Sequence, residues 1–166
     1  RAKVTDRDKV AEVLRLADSV ILDNKKAIRV IVAALLARGH VLIEDVPGVG
    51  KTTLVQTLAK LFGMKMSRVQ MTNDLMPADI IGYNFFDRNS STFIFREGPI
   101  FTNFLLADEL NRANSRTQSA LLQAMEEGEV SVENKTYTLH SPFLVLATQN
   151  PISHVGTHPL PESQLD

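Results

Sequence analysis

The run Asp45-Val46-Pro47-Gly48-Val49-Gly50-Lys51-Thr52 connects an apolar stretch at residues 40–44 to an amphipathic stretch that begins at Lys51. Residue types in this order suit a phosphate group. Successive backbone N–H groups can turn inward around an anion at a helix N-terminus, where the helix dipole also favours negative charge. Gly48 and Gly50 let the backbone come close, Lys51 can reach the β- and γ-phosphates, and the Thr52 hydroxyl can ligate magnesium, with Thr53 completing the set. The run departs from GxxxxGK[ST] at its first position, where Asp45 stands for glycine. That alters the turn entering the loop and leaves the cradle in place. A glycine-rich turn before a surface lysine is the bland alternative, and a second motif downstream weighs against it.

That second motif is Asp108-Glu109, which closes a mostly apolar stretch at residues 101–107. Paired with a phosphate loop, Asp108 can hold the magnesium through water, and Glu109 can orient and deprotonate an attacking water. Without the loop, two acids after a strand would read as a solvated turn. Asn150 ends a further apolar run at residues 142–148. Its side chain could hydrogen-bond the γ-phosphate or the attacking water; an Asn-Pro turn is the competing reading.

These residues need a scaffold, and the chain is long enough for one. With 166 residues, 44% hydrophobic and 22% charged, it has the composition of a soluble globular domain with a sizeable core. A net charge of -1 advertises no broad grip on nucleic acid or anionic lipid. The absence of cysteine excludes disulfides, thiolate catalysis and Cys-ligated zinc, and it fits a reducing compartment. The longest apolar stretch, residues 28–37, is interrupted by Arg29 and falls short of the roughly 20 residues a bilayer span needs. The charged first residues have no apolar segment behind them, so a cytoplasmic location is the expectation. Both ends of the sequence read as cut from something longer.

Periodicity predicts an amphipathic helix at residues 10–22, a buried helix, apolar on most sides, at 25–38 that is stopped by Gly39, and further helices at 51–62 (ending at Gly63) and 115–127 (ending at Gly128). Ser115 and Gln118 have capping-box spacing. Apolar runs at 40–44, 101–107 and 142–148 read as buried strands and residues 66–71 as a further strand, and strands alternating with helices argue for a parallel α/β sheet. Residues 84–95 and 130–139 break that alternation and read as inserted β-hairpins. The first is dense in aromatics: Phe85, Phe86, Phe93 and Phe95 serve either hairpin packing or a contact surface. His154 and His158 are four apart, but Gly156 and Pro159 argue against the helix that would join them at a zinc ion. The methionines read as core and rim residues.

Taken together, the segments HVLIEDVPGVGKTTL, DLMPADIIG, FREGPIF, LLADELNRANSRTQSALLQAMEEGEV and LATQNPI…GTHPLPESQLD resemble the MoxR family of AAA+ ATPases. The resemblance runs from about residue 20 to the last residue. The phosphate loop and acid pair are generic, whereas the ADELNRA…TQSALLQAMEEG and ATQNP…PLPESQLD blocks are specific. The resemblance implies a three-layer α/β P-loop NTPase sheet of AAA+ type, five-stranded and parallel, with the two hairpins as inserts. It assigns Asn150 the sensor 1 role. It implies ATP and Mg2+ as ligands and a ring, a hexamer, whose ATP sites are completed by a neighbour. MoxR relatives are thought to act as chaperones that assemble or metallate other proteins, often beside von Willebrand A domain partners, so a client protein is the expected partner.

Departures qualify this expectation. The family's Gly-Gln pair near the adenine pocket is replaced by Ile21-Leu22-Asp23-Asn24, so Ile21 and Leu22 are the residues expected to touch the base. The resemblance also places a trans-acting arginine, a last strand and a helical lid after LPESQLD, beyond the end of this sequence. An arginine finger is worth about 10³–10⁵ in rate, so this core alone is expected to hydrolyse ATP slowly or not at all. Arg112 and Arg116 are either interface residues or a solvated helix start. Two other classes compete with a chaperone ATPase. One is a nucleotide-gated protein-binding module with incidental turnover. The other is a nucleic-acid motor related to MCM helicases, which the scarcity of cations in the hairpins (Arg88, Lys135) disfavours.

Overall fold

The computed structural model describes residues 25–44 and 51–149. Helix α1 (Lys25–Leu36) leads into strand β1 (Val41–Glu44), and helix α2 (Lys51–Phe62) into β2 (Met66–Gln70). A short helix α3 (Pro77–Ile81) precedes the hairpin β3 (Gly82–Asp87) and β4 (Thr92–Glu97). Strand β5 (Phe104–Asp108) and a 3-10 turn (Leu110–Arg112) lead to helix α4 (Ser115–Glu127). A second hairpin, β6 (Glu129–Val132) and β7 (Lys135–Thr138), precedes β8 (Leu144–Gln149). The predicted helix at residues 10–22 lies outside the described residues.

The central sheet has the order β1-β8-β5-β2, with every pairing parallel. Its two central strands, β5 and β8, are continuous apolar runs because both their faces are covered, whereas β2 at the edge is half-exposed. On one face, Phe104, Leu106, Leu144 and Leu146 pack with Ile28 and Ile31 of α1 and Leu54, Val55 and Leu58 of α2. On the other, Leu105, Ala107, Val145 and Ala147 pack with Leu121 and Ala124 of α4 and with Ile80, Ile100 and Phe101 near the first hairpin. The alternation along β5 and β8 is the period of two that a strand imposes. The result is the three-layer α/β arrangement expected, with four of its sheet strands among the described residues.

Local expectations needed several corrections. Helix α1 ends at Leu36, and the left-handed residue closing it is Arg38 (φ 56°), not Gly39. Gly39 N–H bonds back to the Ala34 carbonyl at 2.8 Å and Arg38 N–H to Leu35 at 3.3 Å, so Gly39 sits one place beyond the position assigned to it. Gly63 and Gly128 are left-handed helix stops as expected. The cap of α4 is Asn114, whose side chain accepts from Thr117 N–H, while Ser115 is already helical. Strand β5 begins at Phe104 because residues 98–102 are turned by bonds from Phe101 N–H to Gly98 and from Thr102 N–H to Ile100. Strand β8 begins at Leu144, later than the predicted Pro142.

The first hairpin leaves the layer through a backbone pinch. Gly98 N–H donates to the Ile81 carbonyl at 3.1 Å, and a Cβ at Gly98 would lie 2.2 Å from the Ile80 oxygen. A Cβ at Gly82, where φ is 106°, would lie 2.2 Å from the Arg96 oxygen. Only glycine fits at either place. The two hairpins then meet: Phe95 stacks on Tyr137 with centroids 4.1 Å apart, and Asn84 Nδ2 donates to Glu133 Oε2 at 2.8 Å.

His40, just ahead of β1, ties the opposite edge of the sheet together. Its Nδ1 accepts from Val145 N–H at 2.9 Å and its Nε2 donates to the Met125 carbonyl at 3.1 Å, which requires the neutral ring with the proton on Nε2. Burial lowers its pKa below the ordinary imidazole value, partly opposed by the bond to the Met125 carbonyl. The unfolded chain therefore binds a proton first as pH falls, and stability contributed by the neutral ring, complete above about pH 6.5, is lost progressively below it. Thermal melts between pH 7.5 and 5.5 should show this decline in the parent protein. His40→Gln, which cannot titrate, should flatten it.

Candidate functional site

Strands β1, β8 and β5 are parallel, so their C-terminal ends open on one edge of the sheet. From β1 the chain passes through residues 45–50 to Lys51, where α2 starts. Thr52 is half-buried in the first turn of α2 and Thr53 is exposed. Residues 45–50, Asn150, Ile21 and Leu22 lie outside the described residues, and so do His154 and His158. What the structure does lay out is the acid pair and its supports.

Asp108 is the last residue of β5, beside Gln70 of β2. Its Oδ2 accepts from Arg68 Nε at 2.6 Å, with the carboxylate side chain 16% exposed and the arginine 52%. Its Oδ1 faces the Thr148 hydroxyl at 3.4 Å. Its carbonyl still serves the β2 ladder, accepting from Met71 N–H at 2.9 Å. Glu109 then leaves the sheet in the left-handed conformation, φ 55° and ψ 53°. A non-glycine residue there carries a steric cost of about 1–2 kcal/mol. Two contacts hold it: its N–H donates to Thr148 Oγ1 at 2.9 Å, and its Oε2 accepts from Arg112 Nη1 at 3.0 Å.

Sequence reading placed Asp108 and Glu109 at a strand end and turn, where the structure has them, but missed Arg68 and Thr148. Thr148 left a faint signal as the one hydroxyl in the apolar run of β8. Arg68 left none, since an arginine in a half-exposed strand is ordinary. Arg112, expected at an interface or a solvated helix start, lies in the 3-10 turn and holds Glu109; Arg116 is exposed in the first turn of α4. The exposed apolar side chains of the first hairpin are Phe85, Phe86, Phe93 and Ile94, with Phe93 72% exposed. Phe95 belongs to packing instead, against Phe101 and Tyr137. A groove of 830 Å³, lined by Leu36, His40, Phe62, Met125 and Phe143, opens at the other edge of the sheet, away from the acid pair. Among the described residues no three His, Asp or Glu side chains cluster as a metal site, and no helix is long and apolar enough to cross a membrane.

A parallel sheet with an acid-terminated strand two places from the strand feeding a GK[ST] helix defines a P-loop NTPase fold. A sequence profile of the ATPase family associated with various cellular activities (AAA) matches residues 40–166. The chain is 52% identical over 147 residues to the Bacillus subtilis protein YeaC, covering 88% of this chain and 46% of that one. It is 48% identical to Chaperone MoxR1 of Mycobacterium tuberculosis, covering 89% of this chain and 39% of the relative. It is 32% identical to Protein MoxR of Methylorubrum extorquens, covering 99% and 49%. A solved structure from Cytophaga hutchinsonii, described as a candidate ATPase, superposes with a TM-score of 0.86 at 44% identity, over 95% of this chain and 48% of that one. This chain belongs to the AAA+ ATPases, in the MoxR family. It spans about half or less of the length of these relatives.

The strain at Glu109 can be measured. Glu109→Gly should relax the left-handed backbone and raise stability by about 1 kcal/mol, a few degrees in melting temperature, despite loss of the partly exposed ion pair. Calorimetric melting checks it.

Proposed function

We propose that this chain is the nucleotide-binding core of a MoxR-type machine that binds MgATP and hydrolyses it when a neighbouring copy completes the site. The observation that carries this reading is the position of β8. Its end lies between Glu44, which leads into residues 45–52, and the Asp108-Glu109 pair, with Thr148 bonded to both acids.

The donor set fits magnesium. Thr52 and Asp108 offer hard oxygens of the type it takes, and Asp108 already attracts a cation, the guanidinium of Arg68. Bound there, the ion would neutralise charge on the β- and γ-phosphates. The protein's own residues do the rest. The amides of residues 46–52, with Asp45 at the entry, enclose the phosphates; Lys51 compensates their charge. Glu109 accepts a proton from the attacking water once its carboxylate leaves Arg112. Asn150, two residues beyond Thr148, orients the water or the γ-phosphate, and Ile21 and Leu22 contact the base.

Turnover would be coupled to remodelling, assembly or metal-cofactor insertion of a client protein by a hexameric ring. The naming of one relative as a chaperone supports the general role. The exposed Phe85, Phe86, Phe93 and Ile94 support a protein contact rather than a nucleic-acid one, since the two cations of that hairpin, Arg88 and Arg96, are balanced by Asp87 and Glu97 and leave no net positive charge for the phosphate grip that nucleic acid requires. A von Willebrand A domain protein is the partner that the family resemblance suggests.

In the full-length protein, Glu109→Gln should bind ATP as the parent does but lose about 10²-fold or more in turnover. Turnover equal to the parent's would reject the assignment. Arg68→Met removes the cation that competes for Asp108, so the magnesium concentration that half-saturates nucleotide binding should drop about 2–5-fold. Calorimetric titration at graded magnesium reads the change.

A further inference from the structure

The buried hydroxyl of Thr148 has a use that neither the phosphate loop nor the acid pair accounts for. Thr148 is 6% exposed, next to last in β8, one residue past the Ala107–Ala147 register pair and opposite Ile43 of β1. At this level β5 stops being a strand. The Asp108 carbonyl still pairs with β2, but Glu109 has turned left-handed, and its N–H bonds the Thr148 side chain rather than a main-chain carbonyl. A hydroxyl has one proton to give and lone pairs to receive with. Here it receives the Glu109 N–H at 2.9 Å and directs its own proton towards Asp108 Oδ1 at 3.4 Å.

We infer that Thr148 is a positioning residue for ATP hydrolysis: it fixes the main chain of Glu109, orients Asp108, and ties both to the end of β8, the strand that ends at Gln149. The inference rests on the proposed function for its chemistry, though the geometry stands without it. Glu109 has two anchors of different kinds. Arg112 holds the carboxylate from a half-exposed position and can be exchanged for a water. Thr148 holds the amide from inside the sheet and stays put, so it sets the point from which the carboxylate swings. Misplacement of a base by about 1 Å can cost on the order of 10²-fold in rate, whereas nucleotide affinity, which depends on the loop at residues 45–52, should barely change.

The test compares Thr148→Val, which keeps the shape and removes the hydroxyl, with Thr148→Ser, which restores it, in the full-length protein. The valine variant should lose about 10–10²-fold in kcat with KM for ATP within about 3-fold of the parent, and the serine variant should recover most of the loss. Hydrogen exchange at the Glu109 amide, which needs no turnover, should be slow in the parent and the serine variant and fast in the valine variant. Unchanged kcat in the valine variant, a loss confined to KM, failure of serine to rescue, or an equally protected Glu109 amide in the valine variant would each overturn the inference. A parent protein that hydrolyses no ATP would instead count against the proposed function, and the exchange experiment would still decide the role of Thr148.

Discussion

In a parallel ladder, strands that share a register finish on the same side, and whatever follows each of them is gathered there. Strand β8 occupies the middle of this arrangement, hydrogen-bonded to β1 and to β5 over their lengths. Its burial on both faces makes a slip of even one residue prohibitive, since that would move Leu144 and Leu146 from one apolar layer to the other. The placement of Thr148 beside Asp108 is thus enforced by the whole core rather than by contacts at the site. Parallel sheets bind ligands at this edge for the same reason.

At the edge, the chain gives up regularity in a controlled way. Asp108 keeps its main-chain pairing on the β2 side while Glu109 abandons it on the β8 side, and a threonine hydroxyl covers the exposed amide. Each carboxylate has an arginine partner, Arg68 for Asp108 and Arg112 for Glu109. The two acids can therefore sit next to each other on a turn without leaving unbalanced negative charge in a partly buried place, which would be costly. Both partners are about half exposed, which leaves these pairs weak enough to exchange with other ligands.

Much of this was legible in the residues. Strands β1, β5 and β8 and the helices α1, α2 and α4 follow from apolar runs bounded by glycine and by acids, because two-sided burial and helical periodicity leave strong marks in a sequence, whereas half-exposed β2 leaves a weaker one. Element ends were harder. Arg38 adopts the left-handed position that Gly39 was expected to fill, since the Ala34 and Leu35 carbonyls select the helix end and the residue type adjusts. Asn114 outcompetes Ser115 as a cap because its amide also bonds the carbonyls of Asn73 and Leu75, a tertiary contact that no local pattern contains. Asp108 and Glu109 stand out by type and context; Arg68 and Thr148 become visible only when β2 and β8 are laid beside β5.

The pinch at Gly82 and Gly98 and the ring stack of Phe95 on Tyr137 have a joint mechanical meaning. A ribbon clamped at its root by backbone-to-backbone contact cannot bend there without breaking main-chain bonds, and the aromatic stack welds a second ribbon to its flank. The two projections form one stiff arm. Its root leads within a few residues into β5 on one side, and its second member leads into β8 on the other, so the arm is rooted in the pair of strands that carry the acids and the hydroxyl between them.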